Sequence, residues 1–153
     1  MIKCVYSIAA KGIIRDVETN TMSIYNVYDE IIPQSFPVLL SNFEFLAMFW
    51  REPGDPPTIT HNIRITLDED ELFTDKMDSV FGDKMGNRLK FRINGLAILH
   101  PGKLTVTLTG ADGSIECEYY IKVASAPSKI LPPEPGLKGI ANAPQASEES
   151  KPK

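Results

Sequence analysis

The chain has 153 residues, with 16 Lys and Arg against 20 Asp and Glu for a formal net charge of -4, and it contains two cysteines and a single tryptophan. That length fits one domain with its own core, and the acidic balance excludes a whole-molecule field that would draw the chain to nucleic acid or anionic lipid. No stretch approaches the roughly 20 consecutive apolar residues of a membrane-spanning helix, so no membrane association is expected. The opening run MIKCVYSIAAKGII has one early Lys and is interrupted by Ser7 and Lys11, too mixed for a secretory signal, and a cytoplasmic protein is expected.

Alternation of apolar and polar residues, the period of a half-buried strand, recurs along most of the chain. A first strand is predicted over 2–10, with Ile2, Cys4, Tyr6 and Ile8 on one face and Lys3, Val5 and Ser7 on the other, followed by a polar connection over 15–21. A second, 23–32, is rich in β-branched and aromatic residues and stops at Pro33, which has no N–H to give to a ladder. Phe36, placed before Pro37, is expected to be extended. The segment 42–50, NFEFLAMFW, is the most apolar of all. Phe43, Phe45, Ala47 and Phe49 fall on one face and Leu46, Met48 and Trp50 on the other, so both faces need cover.

After the turn EPGDPP at 52–57, the strand 58–67 sets Ile59, His61, Ile63, Ile65 and Leu67 against Thr60, Asn62, Arg64 and Thr66. The pattern is lost over 68–87, where an acidic cluster and glycines leave room for a short edge strand or a helical turn. From Arg88 onward Leu89, Phe91 and Ile93 share a face, and after Asn94-Gly95 the apolar parity passes to Leu96 and Ile98, which reads as a β-bulge. The last hairpin, 103–123, turns at Gly110-Ala111-Asp112-Gly113, where an Asp-Gly pair suits a tight turn. An even-numbered loop is predicted, with Leu108 opposite Ile115, Val106 opposite Cys117 and Leu104 opposite Tyr119, so that apolar side chains meet one another.

Eight or so strands without a convincing helix predict an all-β fold: an antiparallel β-sandwich, immunoglobulin-like or Greek-key, with a closed barrel as the alternative. The sandwich domain is expected to span 1–123. Residues 124–153 are rich in Pro, Ser and Ala and are predicted to form a disordered C-terminal tail. Cys4 and Cys117 both have inward parity and are expected to be free core thiols, neighbours if the first strand lies beside the last.

Cys4 in the opening strand, Asn26-Val27-Tyr28-Asp29-Glu30-Ile31-Ile32 followed by Phe36-Pro37, the aromatic strand 42–50 and Pro101-Gly102-Lys103-Leu104-Thr105-Val106 together carry a resemblance. The chain resembles a bacterial domain-of-unknown-function family of small β-sandwich proteins. The resemblance covers most of the body and none of the tail. It implies the sandwich fold and a bacterial or phage context, and it supplies no catalytic residues.

Two surfaces stand out as candidate sites. If the second face of the 42–50 strand is uncovered, Leu46, Met48 and Trp50 with Phe36 form an apolar patch for a protein partner or a second copy of the chain. Alternatively the 72–85 segment or Ile130-Leu131 of the tail folds over it. Arg88, Lys90 and Arg92 alternate on one strand face, with Lys84 upstream and Arg64 outward on its own strand, a stripe able to track phosphates. The plainer reading is a solvated face balanced by Glu44, Glu116 or Glu118.

Asp68-Glu69-Asp70-Glu71 lacks the spacing of a Ca²⁺ loop and reads as a solvated turn. His61 reads as a core or edge histidine with one hydrogen bond satisfied and His100 as a turn histidine. With no nucleophile elbow, no Cys-x-x-Cys and no phosphate loop, neither an enzyme nor a cofactor is expected. The sequence therefore predicts a non-enzymatic interaction or self-association module. A ligand-binding sandwich is the alternative, taking nucleic acid on the basic stripe or carbohydrate on its end loops.

Overall fold

The computed structural model describes residues 1–127, and among the described residues the chain forms strands and no helix. In chain order these are β1 (Lys3–Arg15), β2 (Met22–Val27), β3 (Glu30–Ile31), β4 (Val38–Leu40), β5 (Phe43–Trp50) and β6 (Thr58–Leu67). They continue with β7 (Asp70–Val80), β8 (Gly86–Ile93), β9 (Leu96–Ile98), β10 (Gly102–Thr109) and β11 (Ile115–Val123). One sheet has the order β2-β1-β5-β8, a second β3-β11-β10-β6-β7, and β4 pairs with β9 as a short ribbon. The fold is the all-β sandwich that the alternation predicts. The tail expected over 124–153 lies outside the described residues from 128 onward.

The two sheets bury their inner faces against each other. Phe43, Phe45, Ala47 and Phe49 of β5 with Leu89 and Phe91 of β8 meet Ile63, Ile65 and Leu67 of β6, Leu104, Val106 and Leu108 of β10, and Ile121 and Val123 of β11. Phe45 stacks on Phe91 at 5.2 Å between ring centroids and meets Tyr119 edge-on at 6.2 Å. The aromatic load that made 42–50 look like a strand thus fills the space between the layers.

Several elements differ from the sequence reading, each for a local reason. Strand β1 runs past its predicted end at residue 10 to Arg15, where the expected polar connection begins, and pairs with β2 as a hairpin, whose tip is tied by the Asp16 carboxylate accepting from the backbone N–H of Glu18 and Thr19. The register of β1 on β5 shifts between Cys4 and Tyr6, so Val5 is bulged and the two flanking residues face opposite ways: Cys4 toward the core, Tyr6 outward. The predicted second strand is interrupted at Tyr28 and Asp29, just after Asn26 with φ 53, and its end crosses to the other sheet as β3. Phe36-Pro37 is a cis peptide.

Residues 70–80, which show no apolar alternation, form the 11-residue strand β7. It is the outer strand of its sheet, so charged Asp75, Lys76 and Asp78 cost it little. The parity change at Asn94-Gly95 is a break and not a bulge: Gly95 takes φ 86, and the chain leaves β8 to pair β9 with β4. In the last hairpin Leu108 opposes Cys117, Val106 opposes Tyr119 and Leu104 opposes Ile121, two residues from the predicted register. The loop 110–114 is odd-numbered and not even as predicted, and an irregularity between Leu108 and Thr109 absorbs Glu116 as an extra residue, which restores apolar opposite apolar.

Candidate functional site

The outer face of β5 is organised by the hairpin β1–β2. Its backbone at Ile13 is held from both sides, the N–H donating to Glu44 Oε2 at 2.9 Å and the C=O accepting from Lys90. Nearer the tip, Arg88 donates to the Asn20 carbonyl at 3.0 Å. The hairpin therefore lies against β5 and β8, and Ala10 and Ile13 form a second small core with Leu46, bordered by Ile8, Met22 and Ile24. Leu46, expected on an open patch, is 0% exposed. The cover comes from the hairpin β1–β2 and not from the 72–85 segment, and Ile13 and Met22 of that hairpin lie outside the predicted strands; Ile130-Leu131 fall outside the described residues.

Phe36 is also not part of an outer patch, since it packs half-buried against the main core. Met48 and Trp50 remain together beyond the edge of the hairpin, Met48 half-buried and Trp50 49% exposed. Tyr6, turned outward by the bulge at Val5, is paired with Met48 and 44% exposed. Gly86 lies opposite Trp50 on β8, and a Cβ there would stand 3.2 Å from the indole ring and 2.6 Å from the Met48 methyl. The missing side chain thus lets these two lie down against the strand.

The cations divide into three groups. Arg64 is on the other sheet, where it pairs with Glu71 at 2.8 Å. Lys90 and Arg92 converge on Glu44, which is 2% exposed, with Lys90 Nζ at 2.9 Å and Arg92 Nε at 2.6 Å. Burial pushes the Glu44 carboxyl up, but the hydrogen bonds from Lys90, Arg92 and the Ile13 N–H outweigh it and hold the carboxyl below its ordinary value. Lys84 and Arg88 join Arg15 around a cleft of about 510 Å³ that also takes in Met48, Trp50 and Val80. No Asp or Glu lines it. The structure thus breaks the predicted stripe and the predicted apolar patch apart and reassembles pieces of both into one cationic, aromatic cleft.

A second, larger cleft of about 840 Å³ opens at one end of the sandwich, lined by Cys4, Asp55, Ile59, Gly110, Ser114 and Glu116 among others. The bulge in β11 re-aims Glu116 to His61, whose Nδ1 lies 2.5 Å from Glu116 Oε2, while His61 Nε2 lies 2.9 Å from Ser79 Oγ. The His61 ring stacks on Phe49 at 4.4 Å. Both ring nitrogens are satisfied, one more than the sequence reading allowed. The atom order is that of a Ser–His–acid triad, yet Ser79 is 1% exposed and His61 0%, so the hydroxyl faces the interior and only Glu116 reaches the cleft. Ser79 escaped notice because it sits in the unpatterned edge strand. The inward parity of His61 was the one signal that a buried polar partner must exist.

Among the described residues no group of three or more His, Cys, Asp or Glu is placed to hold a metal ion, and no helix is long and apolar enough to cross a membrane. No protein-family model matches the chain, and no curated protein matches it.

Proposed function

We propose that the chain is a non-enzymatic cytoplasmic interaction module that binds an acidic, partly apolar segment of a partner protein in the cleft beside Trp50. The supporting observation is that cleft's make-up: an exposed indole and a half-buried thioether, ringed by Arg15, Lys84 and Arg88 without a carboxylate. Trp, Met and Arg are the residues that carry binding energy at interfaces. Cations around the rim set sign and encounter rate. Two copies joined through this face would bring like charges together, so a partner of opposite charge fits better than self-association. The same cations beside an aromatic ring favour a second reading, single-stranded nucleic acid stacked on Trp50.

Trp50 is the only tryptophan, so its fluorescence reports on the site alone. Titration of the full chain with a peptide of alternating Glu and Leu is expected to shift the emission to the blue. High salt and an Arg88→Ala, Lys84→Ala double variant are expected to weaken the response. An equal response to a single-stranded oligonucleotide of the same charge would favour the second reading. No response to either would overturn the cleft as a binding site, and a concentration-dependent dimer that Trp50→Ala dissociates would replace the partner by a second copy.

A further inference from the structure

We propose that Cys4 and Cys117 form a reversible thiol–disulfide pair, which a low-molecular-weight disulfide such as oxidised glutathione closes into a bond between the two sheets. The bulge at Val5 turns Cys4 inward, with its Sγ 3.4 Å from the carbonyl of Tyr6. Cys117 points inward from β11, which packs beside β1. Both side chains belong to the one packed core, on strands β1 and β11 that lie against each other, and each thiol is the strongest influence on the protonation of the other. These are the only cysteines in the chain, so their meeting across the core is a pairing without competitors.

The place matters as much as the contact. Beyond Ala10 strand β1 is covered by β2, but its first half pairs only with β5. Likewise β3 pairs only with Lys122 and Val123, so the rest of β11 has β10 alone. The cysteines sit where both sheets end in an uncovered strand, and a bond between them would staple that side of the sandwich. Both are free thiols in this structure, and Cys4 lines the 840 Å³ cleft while Cys117 lies behind it at 7% exposure. A reagent entering from solvent therefore meets Cys4 first.

Access and not acidity sets the order of attack. The Cys4 thiol outweighs burial and holds Cys117 below its ordinary value, whereas Cys117 and burial push Cys4 up, yet Cys4 is the thiol that the cleft exposes. Cys4 gives up its proton and its thiolate attacks one sulfur of the reagent, whose S–S bond breaks and releases a first glutathione thiolate. Cys117 then gives up its proton and attacks the Cys4 sulfur of the mixed disulfide, releasing the second glutathione thiolate. The two protons lost by the cysteines end on the two released thiolates, so the protein loses two electrons and two protons and the reagent is reduced to two thiols. The closed bond has a length of about 2.05 Å.

The test is intact-mass analysis of the native full chain after incubation with oxidised glutathione, followed by peptide mapping. The expected product has lost two hydrogen atoms, carries no glutathione, links the Cys4 and Cys117 peptides, and returns to the starting mass with dithiothreitol. Cys117→Ser is expected to stop at a stable glutathione adduct on Cys4, which shows the order of attack without requiring the bond. A wild-type adduct that never closes, a covalent dimer, or a native chain inert to a reagent that oxidises it in urea would each overturn the proposal.

Discussion

The backbone N–H of Ile13 donates a 2.9 Å hydrogen bond to the carboxylate of Glu44, a residue 31 positions further along the chain. That carboxylate, 2% exposed, also carries the charges of Lys90 and Arg92, so a single side chain holds hairpin β1–β2 to both β5 and β8. Its removal leaves a buried N–H without an acceptor, while Lys90 and Arg92, 33% and 56% exposed, retain access to water. Glu44→Ala is therefore expected to cost about 2 kcal/mol, less than a fully buried broken pair. Urea unfolding measures the cost, and faster proteolysis near Val17 would show that the hairpin has lifted.

The same carboxylate sets an acid limit. Its folded pKa lies below the ordinary value of 4.5, so its contribution is fully present above that value and is lost as pH falls through the folded pKa. The stability difference between the native chain and Glu44→Gln should accordingly shrink as pH falls below 4.5. A difference constant down to full acid unfolding would contradict the assignment.

Leu46 and Trp50 lie on one face of β5 but should lose different amounts of stability on truncation. Leu46 is enclosed by Ala10 and Ile13, and Leu46→Ala is expected to cost about 2–5 kcal/mol in chemical denaturation. Trp50, half exposed, is expected to cost under about 1 kcal/mol on truncation. Equal losses would mean that the hairpin does not cover Leu46 as described.

Ser79→Ala removes the partner of His61 Nε2 in a site with no exposure to water. A stranded buried polar group costs about 1–3 kcal/mol. Thermal and urea unfolding should both show a loss in that range, and a neutral result would indicate that the ring has found another partner or turned over.

His100 is expected to titrate above 6.5, because its ring faces the Pro101 carbonyl first and the Asp70 carboxylate second, and both favour the charged imidazole. A raised folded pKa means that its contribution is complete below the unfolded value and fades as pH rises through the folded one. Proton NMR should place the midpoint above 6.5 and show Asp70→Asn bringing it down.

Sequence by itself determined the layers of this protein. A period of two marks 42–50, 58–67 and the two arms of the hairpin 103–123 as strands because half-buried backbone leaves side chains only two directions, and those strands supply most of the core between the sheets. It also placed His61, Cys4 and Cys117 inward, and it named Met48, Trp50, Lys84 and Arg88 separately. Tertiary structure decided what met what. Alternation cannot report an edge strand such as β7, whose outer side is wet, nor a bulge, which changes facing by one residue at no visible cost in composition. The bulges at Val5 and Glu116 turned Cys4 into the core that also holds Cys117, and Glu116 to His61, and a long-range hydrogen bond to Glu44 folded a hairpin over Leu46. Contacts between residues tens of positions apart leave no periodic trace along the chain, so both clefts came into view only once the strands were paired.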